Sequence, residues 1–439
     1  MAKKSSKTLP GPQALQWVKR DHDAISPSYT RQYPFVMQSG KGLVVTDVDG
    51  NRYLDFTSGI AVTATGHCHP KVVKAIRAQA GQFIHMSGTD FYYPQEVLLA
   101  ERLSVLAGGD CKSFFTNSGT ESIEAAMKLA RYVTRRPYFI SFLGSFHGRT
   151  FGALSLTGSK AVHKNRFGPF LPTVLHVPYP NPYRPPTGIS PDRCGEYVLD
   201  MIRNQLCFHL IAPEEVAAIF VEPIQGEGGY ILPPNDFLSG LLKLAHAFGI
   251  LLVVDEVQSG IGRTGKMFAY EHFGIQPDIM ALAKGIASGL PLGAMVASST
   301  LMHWEPGAHA NTFGGNPIAC EAARVTLDLV ENGLMQNAEK IGAFMISRLK
   351  KMQEGHRLIG DVRGLGLMIG IELVQDRVSK EPAISERSQI IQRCFERGLL
   401  ILGCGRSTIR FAPPLTIKRK EADTALAIFE EVLTEIENE

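Results

Sequence analysis

Helices alternate with short apolar strands through the middle of this 439-residue chain, between about residue 70 and residue 297. Such alternation is typical of a mainly parallel sheet with helices on both faces. Sites in that architecture form at the carboxyl ends of the strands. We therefore predict an α/β protein whose functional residues follow its strands. The predicted helices are 72–83, 95–106, 121–132 and 238–247, and the predicted strands are 113–116, 138–142, 216–221, 250–255, 279–283 and 293–297.

Both ends of the chain differ from this middle part. Residues 41–56 alternate in character around Asp49-Gly50-Asn51, which predicts a hairpin. Residues 360–373 indicate a turn that leads into a strand and opens a second, smaller α/β unit. The proline- and tyrosine-rich stretch 169–191 is interpreted as a surface excursion without regular structure. The predicted parts are an N-terminal segment with part of the small domain (1–69), a large domain (70–330) and a C-terminal small domain (331–439).

Composition and charge exclude several functional classes. The formal net charge is only +3, with 45 basic and 42 acidic residues interspersed, so neither nucleic acid nor a membrane is an expected partner. Apolar runs such as 249–254 fall far short of the roughly 18 residues that a membrane-spanning helix needs. The basic start, residues 1–7, lacks the apolar stretch of a secretory signal. Seven scattered cysteines without zinc-pair spacing indicate reduced thiols, and we expect a cytoplasmic enzyme without a metal site.

The segment 117–121, Asn-Ser-Gly-Thr-Glu, stands where a predicted strand ends and a helix begins. Free backbone N–H groups, two hydroxyls and the positive end of a helix dipole would meet there, which suits a phosphate group. Ser118, Gly119 and Thr120 are therefore candidate phosphate ligands. The same residues would also serve as a plain helix N-cap.

Asp255 and Lys284 follow two of the apolar strand candidates. A carboxylate at the end of a buried strand needs a cationic partner, and a lysine among apolar residues has its pKa lowered toward neutral. Together they suit pyridoxal phosphate, because a lysine amine can hold its aldehyde while a carboxylate keeps its pyridine nitrogen protonated. The alternatives are a structural ion pair for Asp255 and a solvated amine for Lys284.

Side chains beside these two could complete a cofactor site. Val257 could pack on one face of the ring, Phe146 could stack on it, and Gln258 could hydrogen-bond the ring hydroxyl. Arg149 could bind a carboxylate through both guanidinium nitrogens, or could form a surface ion pair instead. His147 is interpreted as structural.

Several motifs occur in order along nearly the whole chain, and with them the sequence resembles the class III (omega) aminotransferases, closest to the 4-aminobutyrate aminotransferases. The resemblance implies a fold-type-I pyridoxal-phosphate-dependent transferase, in which a large domain with a mainly parallel seven-stranded sheet joins a smaller α/β domain built from both termini. The motifs are DVDGNRYLDF (47–56), GHCHP (66–70), NSGTES (117–122), FHGRT (146–150), EPIQGEGGY (222–230), VVDEVQSGIGRTG (253–265), ALAKGIASGLPLGA (281–294) and NTFGGNP (311–317).

The resemblance also implies roles for individual residues around pyridoxal 5'-phosphate. Lys284 and Asp255 would be the catalytic pair, and Thr312 would reach the phosphate bound in the neighbouring subunit. The active unit would then be at least a homodimer. The other cofactor-binding residues would be Ser118, Gly119 and Thr120 at the phosphate, Val257 and Phe146 on the ring faces, and Gln258 at the ring hydroxyl.

Substrate-binding roles follow from the same resemblance. Glu227 and Arg410 would form a switch in which the arginine binds the α-carboxylate of glutamate or 2-oxoglutarate, and pairs with the glutamate when an ω-amino substrate is bound. Glu222 would also be a substrate-binding residue. Ile60 stands where ornithine aminotransferases have a tyrosine, so Ile60 with Arg149 favours a short chain that ends in a carboxylate.

The function that the resemblance implies is transfer of an amino group from an ω-amino acid, above all 4-aminobutyrate, to 2-oxoglutarate, giving succinate semialdehyde and glutamate. Residues 87–94 also resemble a branch of ornithine aminotransferases and broad-specificity racemases. A racemase or epimerase and an ornithine or lysine ω-aminotransferase are therefore the alternatives. That racemase branch is expected to carry aspartate at position 227, so Glu227 favours transamination. A non-catalytic binding protein would not need both Lys284 and Asp255.

Overall fold

The structure is a computed structural model that describes residues 9–439, so the prediction for residues 1–7 lies outside the described residues. No helix within 9–439 has the length and apolar character needed to cross a membrane. The α-helices are α1 (Pro12–Ala24), α2 (Ser58–Ala61), α3 (Pro70–Ala80), α4 (Pro94–Leu106), α5 (Gly119–Thr134), α6 (Phe151–Leu156), α7 (Cys194–Asp200), α8 (Cys207–His209), α9 (Phe237–Ala247), α10 (Pro317–Leu329), α11 (Met335–Gly355), α12 (Ile384–Glu396) and α13 (Arg419–Glu437).

The strands form three sheets, each described below. In chain order they are β1 (Met37–Lys41), β2 (Val44–Asp47), β3 (Arg52–Asp55), β4 (Cys111–Thr116), β5 (Tyr138–Phe142), β6 (Val174–Val177), β7 (Val216–Val221), β8 (Leu251–Asp255), β9 (Ile279–Leu282), β10 (Gly293–Ser298), β11 (Ile359–Leu365), β12 (Met368–Leu373), β13 (Leu399–Leu400), β14 (Leu402–Cys404) and β15 (Thr408–Phe411).

The central sheet has seven strands in the order β4-β10-β9-β8-β7-β5-β6. β10 runs antiparallel to both of its neighbours, and the other pairs are parallel. Every residue of β7 is buried, which explains why this strand reads as a continuous apolar run. The mainly parallel seven-stranded sheet confirms the predicted fold class. Its strands β4, β5, β7, β8 and β9 end at one edge, where Asp255 stands level with Ala281.

The edge strand β6 corrects one prediction. Residues 169–191 were expected to lack regular structure, yet Val174–Val177 pairs with β5 in parallel register. The strand is short and ends directly before Pro178, and a proline-rich flank resembles a loop in sequence. Its position at the edge of the sheet explains why a proline can follow it directly, because only one side of an edge strand needs hydrogen-bond partners.

Two smaller sheets are built from strands on either side of the central sheet in the sequence. The order β1-β2-β3-β13 places the confirmed hairpin of β2 and β3 beside Leu399–Leu400, so the N-terminal and C-terminal regions share one sheet. The antiparallel order β11-β12-β15-β14 includes Arg410, which pairs with Gly370 across β12. The domain boundaries at residues 69 and 330 stay predictions.

Candidate active site

A cavity of about 390 Å³ opens at the carboxyl edge of the central sheet. The segments that follow β4, β5, β7, β8 and β9 all contribute to its wall, as the strand pattern predicts. Ten of the predicted site residues line it: Ser118, Gly119, Thr120, Phe146, Arg149, Glu222, Asp255, Val257, Gln258 and Lys284.

Lys284 begins the turn that follows β9, and its backbone has a φ of +48°. Burial lowers the pKa of its amine, although the negative charge of Asp255 opposes that shift. Positive φ is uncommon outside glycine and marks a position that the surrounding structure holds in place. The geometry therefore presents a desolvated amine with increased neutral population to the cavity, as a nucleophile toward an aldehyde requires.

Asp255 at the end of β8 has a buried partner that the sequence did not reveal. Its Oδ2 lies 2.7 Å from His147 Nδ1, and its Oδ1 accepts the N–H of Val257 at 3.0 Å. Burial alone would lower the pKa of His147, but the hydrogen bond and charge of Asp255 raise it. The interpretation of His147 as merely structural is therefore incomplete, because this histidine orients a carboxylate in the cavity wall. Its place between Phe146 and Arg149 in the sequence was the available signal.

The start of α5 forms a close-packed cradle. Ser118 caps the helix by accepting the N–H of Glu121 at 3.4 Å. A Cβ on Gly119 would stand 2.8 Å from a methyl of Val257, and a Cβ on Gly148 would stand 2.1 Å from the Thr120 hydroxyl. Only glycine fits at these two positions, so the backbone approaches the cavity closely. A helix N-terminus with free N–H groups and no obstructing side chain fits a phosphate.

Phe146 connects the cavity with a group of charged side chains. The Arg149 guanidinium lies 5.5 Å from its ring centroid, and the His163 ring packs edge-on at 5.6 Å. Burial lowers the pKa of His163, and the charges of Arg149 and Lys160 act in the same direction. His163 is thus favoured in its neutral form beside two cations.

Glu222 is buried next to Asp255 and His147. Its two carboxylate oxygens accept the backbone N–H groups of Phe146 at 3.1 Å and Gly226 at 2.9 Å. Burial raises the pKa of this carboxyl group. Both oxygens therefore hold loops in place, and a direct contact between Glu222 and substrate stays a prediction.

Glu227 and Arg410 are not in the cavity wall, but their charges act on the pKa of Lys284. Arg410 Nη1 donates to Glu227 Oε1 at 2.5 Å, and Lys160 Nζ lies 3.4 Å from Glu227 Oε2. Burial alone would raise the pKa of Glu227, but the two cations hold it below its usual value. Lys160 is a residue that the sequence analysis missed, since it lies 67 positions from Glu227 in an exposed loop.

Ile60 and Thr312 also lie outside the cavity wall, and both are exposed. Ile60 belongs to α2, whose four residues all have positive φ, from 49° to 68°. Positive φ at four successive residues makes α2 a single left-handed turn. The next residue, Val62, lines the cavity and is not among the predicted site residues. Thr312 lies in the loop before α10, next to the exposed ring of Phe313.

Comparisons with known proteins show what the chain is similar to. The family described as Aminotransferase class-III matches residues 25–433. An alanine/serine racemase from Pyrococcus horikoshii is 38% identical over 97% of this chain and 91% of its own. A 4-aminobutyrate aminotransferase from Mycobacterium leprae is 38% identical over 97% of this chain and 96% of its own. The crystal structure of a Bacillus anthracis aminotransferase superposes with a TM-score of 0.89 at 30% identity, covering 98% of this chain and 100% of that one.

Proposed function

Because the chain belongs to the class-III aminotransferases, which depend on pyridoxal phosphate, we propose that its amino donor is an ω-amino acid and its acceptor is 2-oxoglutarate. The donor that the site favours most is 4-aminobutyrate, which would give succinate semialdehyde and glutamate. The observation that carries this proposal is the carboxylate of Glu227, shared between Arg410 at 2.5 Å and Lys160 at 3.4 Å.

This shared carboxylate can serve two kinds of substrate in turn. Arg410 is buried, and its Nε has no hydrogen-bond partner within residues 9–439. A substrate with an α-carboxylate can draw the arginine away from Glu227, and an ω-amino donor can leave the pair closed. Lys160 stays close to Glu227 in the first case, so the carboxylate is not left as an uncompensated charge.

The charges around the pair suit a dicarboxylate. Arg149, Lys160 and Arg410 supply three positive charges and Glu227 supplies one negative charge, so two positive charges remain for the substrate. The acceptor 2-oxoglutarate carries two carboxylates, and complementary charge concentrates such a ligand at the site. Ile60 offers no polar atom for a distal amine, which favours 4-aminobutyrate over ornithine or lysine.

The residues of the cavity divide the chemistry among them. Pyridoxal phosphate, when bound, supplies an electron sink for the substrate carbon. Ser118, Gly119 and Thr120 would hold its phosphate, and Phe146 and Val257 would enclose its ring. Asp255, oriented by His147, would keep the pyridine nitrogen protonated. Lys284 would hold the aldehyde between turnovers, and would then move a proton at the substrate carbon through Nζ. Two half-reactions of this kind give ping-pong kinetics.

Racemisation is the second candidate, because an alanine/serine racemase is 38% identical over nearly the whole chain. A racemase would also use the Lys284 amine and the Asp255 carboxylate, but it would return the proton to the opposite side of the same carbon. It needs no second carboxylic substrate, so the switch of Glu227 and Arg410 would have no alternating task. The two functions therefore differ in their need for a keto acid.

We expect 2-oxoglutarate and 4-aminobutyrate to give glutamate faster than 2-oxoglutarate with ornithine, lysine or α-amino acids does. The expected preference is about tenfold or more, because the carboxylate of 4-aminobutyrate, at the end opposite its amine, would gain a charged hydrogen bond to Arg149. Glutamate release with each donor measures it. Arg149→Leu should lower the rate with 4-aminobutyrate more than the rates with the other amines, and so remove this preference. Rapid inversion of one amino-acid enantiomer without any keto acid would contradict the proposal and favour the racemase.

The proposed active unit is a homodimer, and a patch of exposed apolar side chains supports it. The patch consists of Ile84, Met86, Phe91, Tyr92 and Phe313, whose exposed fractions range from 45% to 100%. Two hydrogen bonds join its segments: Thr89 donates to the Asn311 carbonyl at 3.0 Å, and Asn316 donates to the Ile84 carbonyl at 3.0 Å. A contiguous apolar patch of this kind is typical of a protein interface. Thr312 adjoins it and would reach the neighbouring site.

We expect Phe313→Glu to weaken the dimer and to reduce activity in proportion to the monomer formed, because a buried unpaired carboxylate opposes association. Analytical ultracentrifugation and glutamate release at the same protein concentrations would measure both effects. Val378→Glu is the matched control, since Val378 is 91% exposed and lies in a loop remote in sequence from the patch. A fully active Phe313→Glu monomer would contradict a shared site, and an unchanged dimer would contradict the interface.

A further inference from the structure

Tyr230 hydrogen-bonds to Gln258, whose side chain lines the cavity. The tyrosine is 1% exposed, and its hydroxyl donates to Gln258 Oε1 at 2.8 Å. Burial raises the pKa of the phenol, so the hydroxyl keeps its proton. A neutral phenol with no solvent contact is a stable hydrogen-bond donor, and its acceptor here is one specific atom of a cavity residue.

This contact decides which way the Gln258 amide faces. A glutamine amide has an oxygen that accepts and a nitrogen that donates twice, and the two ends are interchangeable in shape. With Oε1 occupied by Tyr230, the NH₂ group is the end left for another partner. A Cβ on Gly226 would stand 2.3 Å from Gln258 Nε2, so only glycine leaves room for the amide in this orientation.

The backbone at Tyr230 is held in an unfavourable conformation. Its φ is +51°, which bulky residues rarely adopt. Arg363 fixes this loop: its Nε donates to the Tyr230 carbonyl at 3.0 Å, and its Nη2 donates to the Gly229 carbonyl at 2.6 Å. Arg363 is itself paired with Asp361 and Glu372, each at 2.7 Å. A strained conformation that several contacts maintain is a frequent mark of a functional position.

We propose that Tyr230 is a positioning residue, which turns the Gln258 amide so that its NH₂ group donates to the ring oxygen of the bound coenzyme. This inference rests on the contact between Gln258 and the ring hydroxyl that belongs to the proposed function. A donor at that oxygen stabilises the coenzyme form in which the oxygen carries more negative charge. Without the Tyr230 hydroxyl nothing fixes the amide in this orientation, so its NH₂ group would donate to the ring oxygen less completely.

In the holoenzyme with Tyr230→Phe, we expect the pH midpoint of the visible absorbance of the bound coenzyme to rise by about 0.5 to 1 unit, the shift that one net hydrogen bond corresponds to. The shape of the core stays the same, because phenylalanine differs only in the hydroxyl. A pH titration of the absorbance without substrate measures this midpoint. A merely structural tyrosine would leave it unmoved.

Two further single variants and one double variant make the result decisive. Gln258→Ala should raise the midpoint in the same direction, and the double variant should show no more than the larger single shift. Tyr53→Phe is the control. It also removes one buried hydroxyl, which donates to Asp47 at 3.0 Å outside the cavity wall, and it should leave the midpoint unchanged. A shift with Gln258→Ala but none with Tyr230→Phe overturns the role of Tyr230. No shift with Gln258→Ala overturns the Gln258 contact itself, and this inference with it.

Discussion

Replacing Lys284 with alanine is expected to reduce transamination by at least about a thousandfold, because the variant loses both the amine that holds the coenzyme and the group that moves the proton at the substrate carbon. The amine is desolvated, its pKa is lowered by burial, and it stands on a backbone with positive φ. Glutamate release measures the loss. Visible absorbance after addition of pyridoxal phosphate to the dialysed protein should show no covalently held coenzyme.

Two further substitutions separate the amine from the positive charge. Lys284→Arg keeps a cation near Asp255 but cannot attack an aldehyde, so it should be as inactive as Lys284→Ala. Lys266→Ala removes an exposed lysine that does not line the cavity, and this variant should be fully active. Substantial turnover by Lys284→Arg would show that only the charge matters, and the role assigned to the amine would then be wrong.

Arg410→Ala is expected to lower kcat/KM for 2-oxoglutarate by about 30-fold to 1000-fold while changing the rate of the 4-aminobutyrate half-reaction less than tenfold. Loss of one partner of a buried, hydrogen-bonded charge pair commonly costs about 2 to 4 kcal/mol. The α-carboxylate of the keto acid would lose the buried cation that is proposed to bind it, whereas an ω-amino donor has no carboxylate beside its amine. Single-turnover kinetics of the two half-reactions would measure the split.

Glu227→Gln should produce the opposite split. Arg410 would keep its charge without the carboxylate that neutralises it, so glutamate should react as well as before and 4-aminobutyrate about tenfold or more slowly. Arg184→Ala is a matched control, because Arg184 also pairs with a buried glutamate, Glu372, at 2.5 Å but outside the cavity. Its ratio of the two half-reactions should equal that of the unchanged enzyme.

Equal losses in both half-reactions of Arg410→Ala would contradict the switch.

The fold was predictable where burial dominates the sequence pattern. Strands β7 and β8 lie between other strands and are covered by helices, so nearly all of their residues are buried and apolar. Such a strand is recognisable in the sequence as an unbroken apolar run. β6 was missed because it is a four-residue edge strand directly before a proline. The hairpin of β2 and β3 was predicted because the turn residues Asp49-Gly50 determine its geometry locally.

The candidate site was predictable only in part. The strand ends indicated which segments would meet, because parallel strands share one carboxyl edge. Contacts between side chains that are distant in sequence left no local pattern: His147 is 108 positions from Asp255, and Lys160 is 67 positions from Glu227. The pairing of Glu227 with Arg410 was expected from the family resemblance and not from any spacing. Tyr230 belongs to the motif 222–230, but the sequence predicts no role for it, because its positive φ is visible only in the structure.

The left-handed turn of α2 holds non-glycine residues in a backbone conformation that costs folding free energy. Its residues include serine, isoleucine and alanine, and each would be less strained as glycine in that conformation. The turn is retained by outside contacts: Asp55 accepts the N–H groups of Thr57 and Ser58, and the Ser58 hydroxyl donates to the carbonyl of Ala412, two residues beyond Arg410. The turn that displays Ile60 and the segment that follows the arginine strand are thus joined directly by a hydrogen bond. Under the proposed roles of Ile60 and Arg410, a change of amine preference at Ile60 would therefore be constrained by the contact that Arg410 makes with the acceptor.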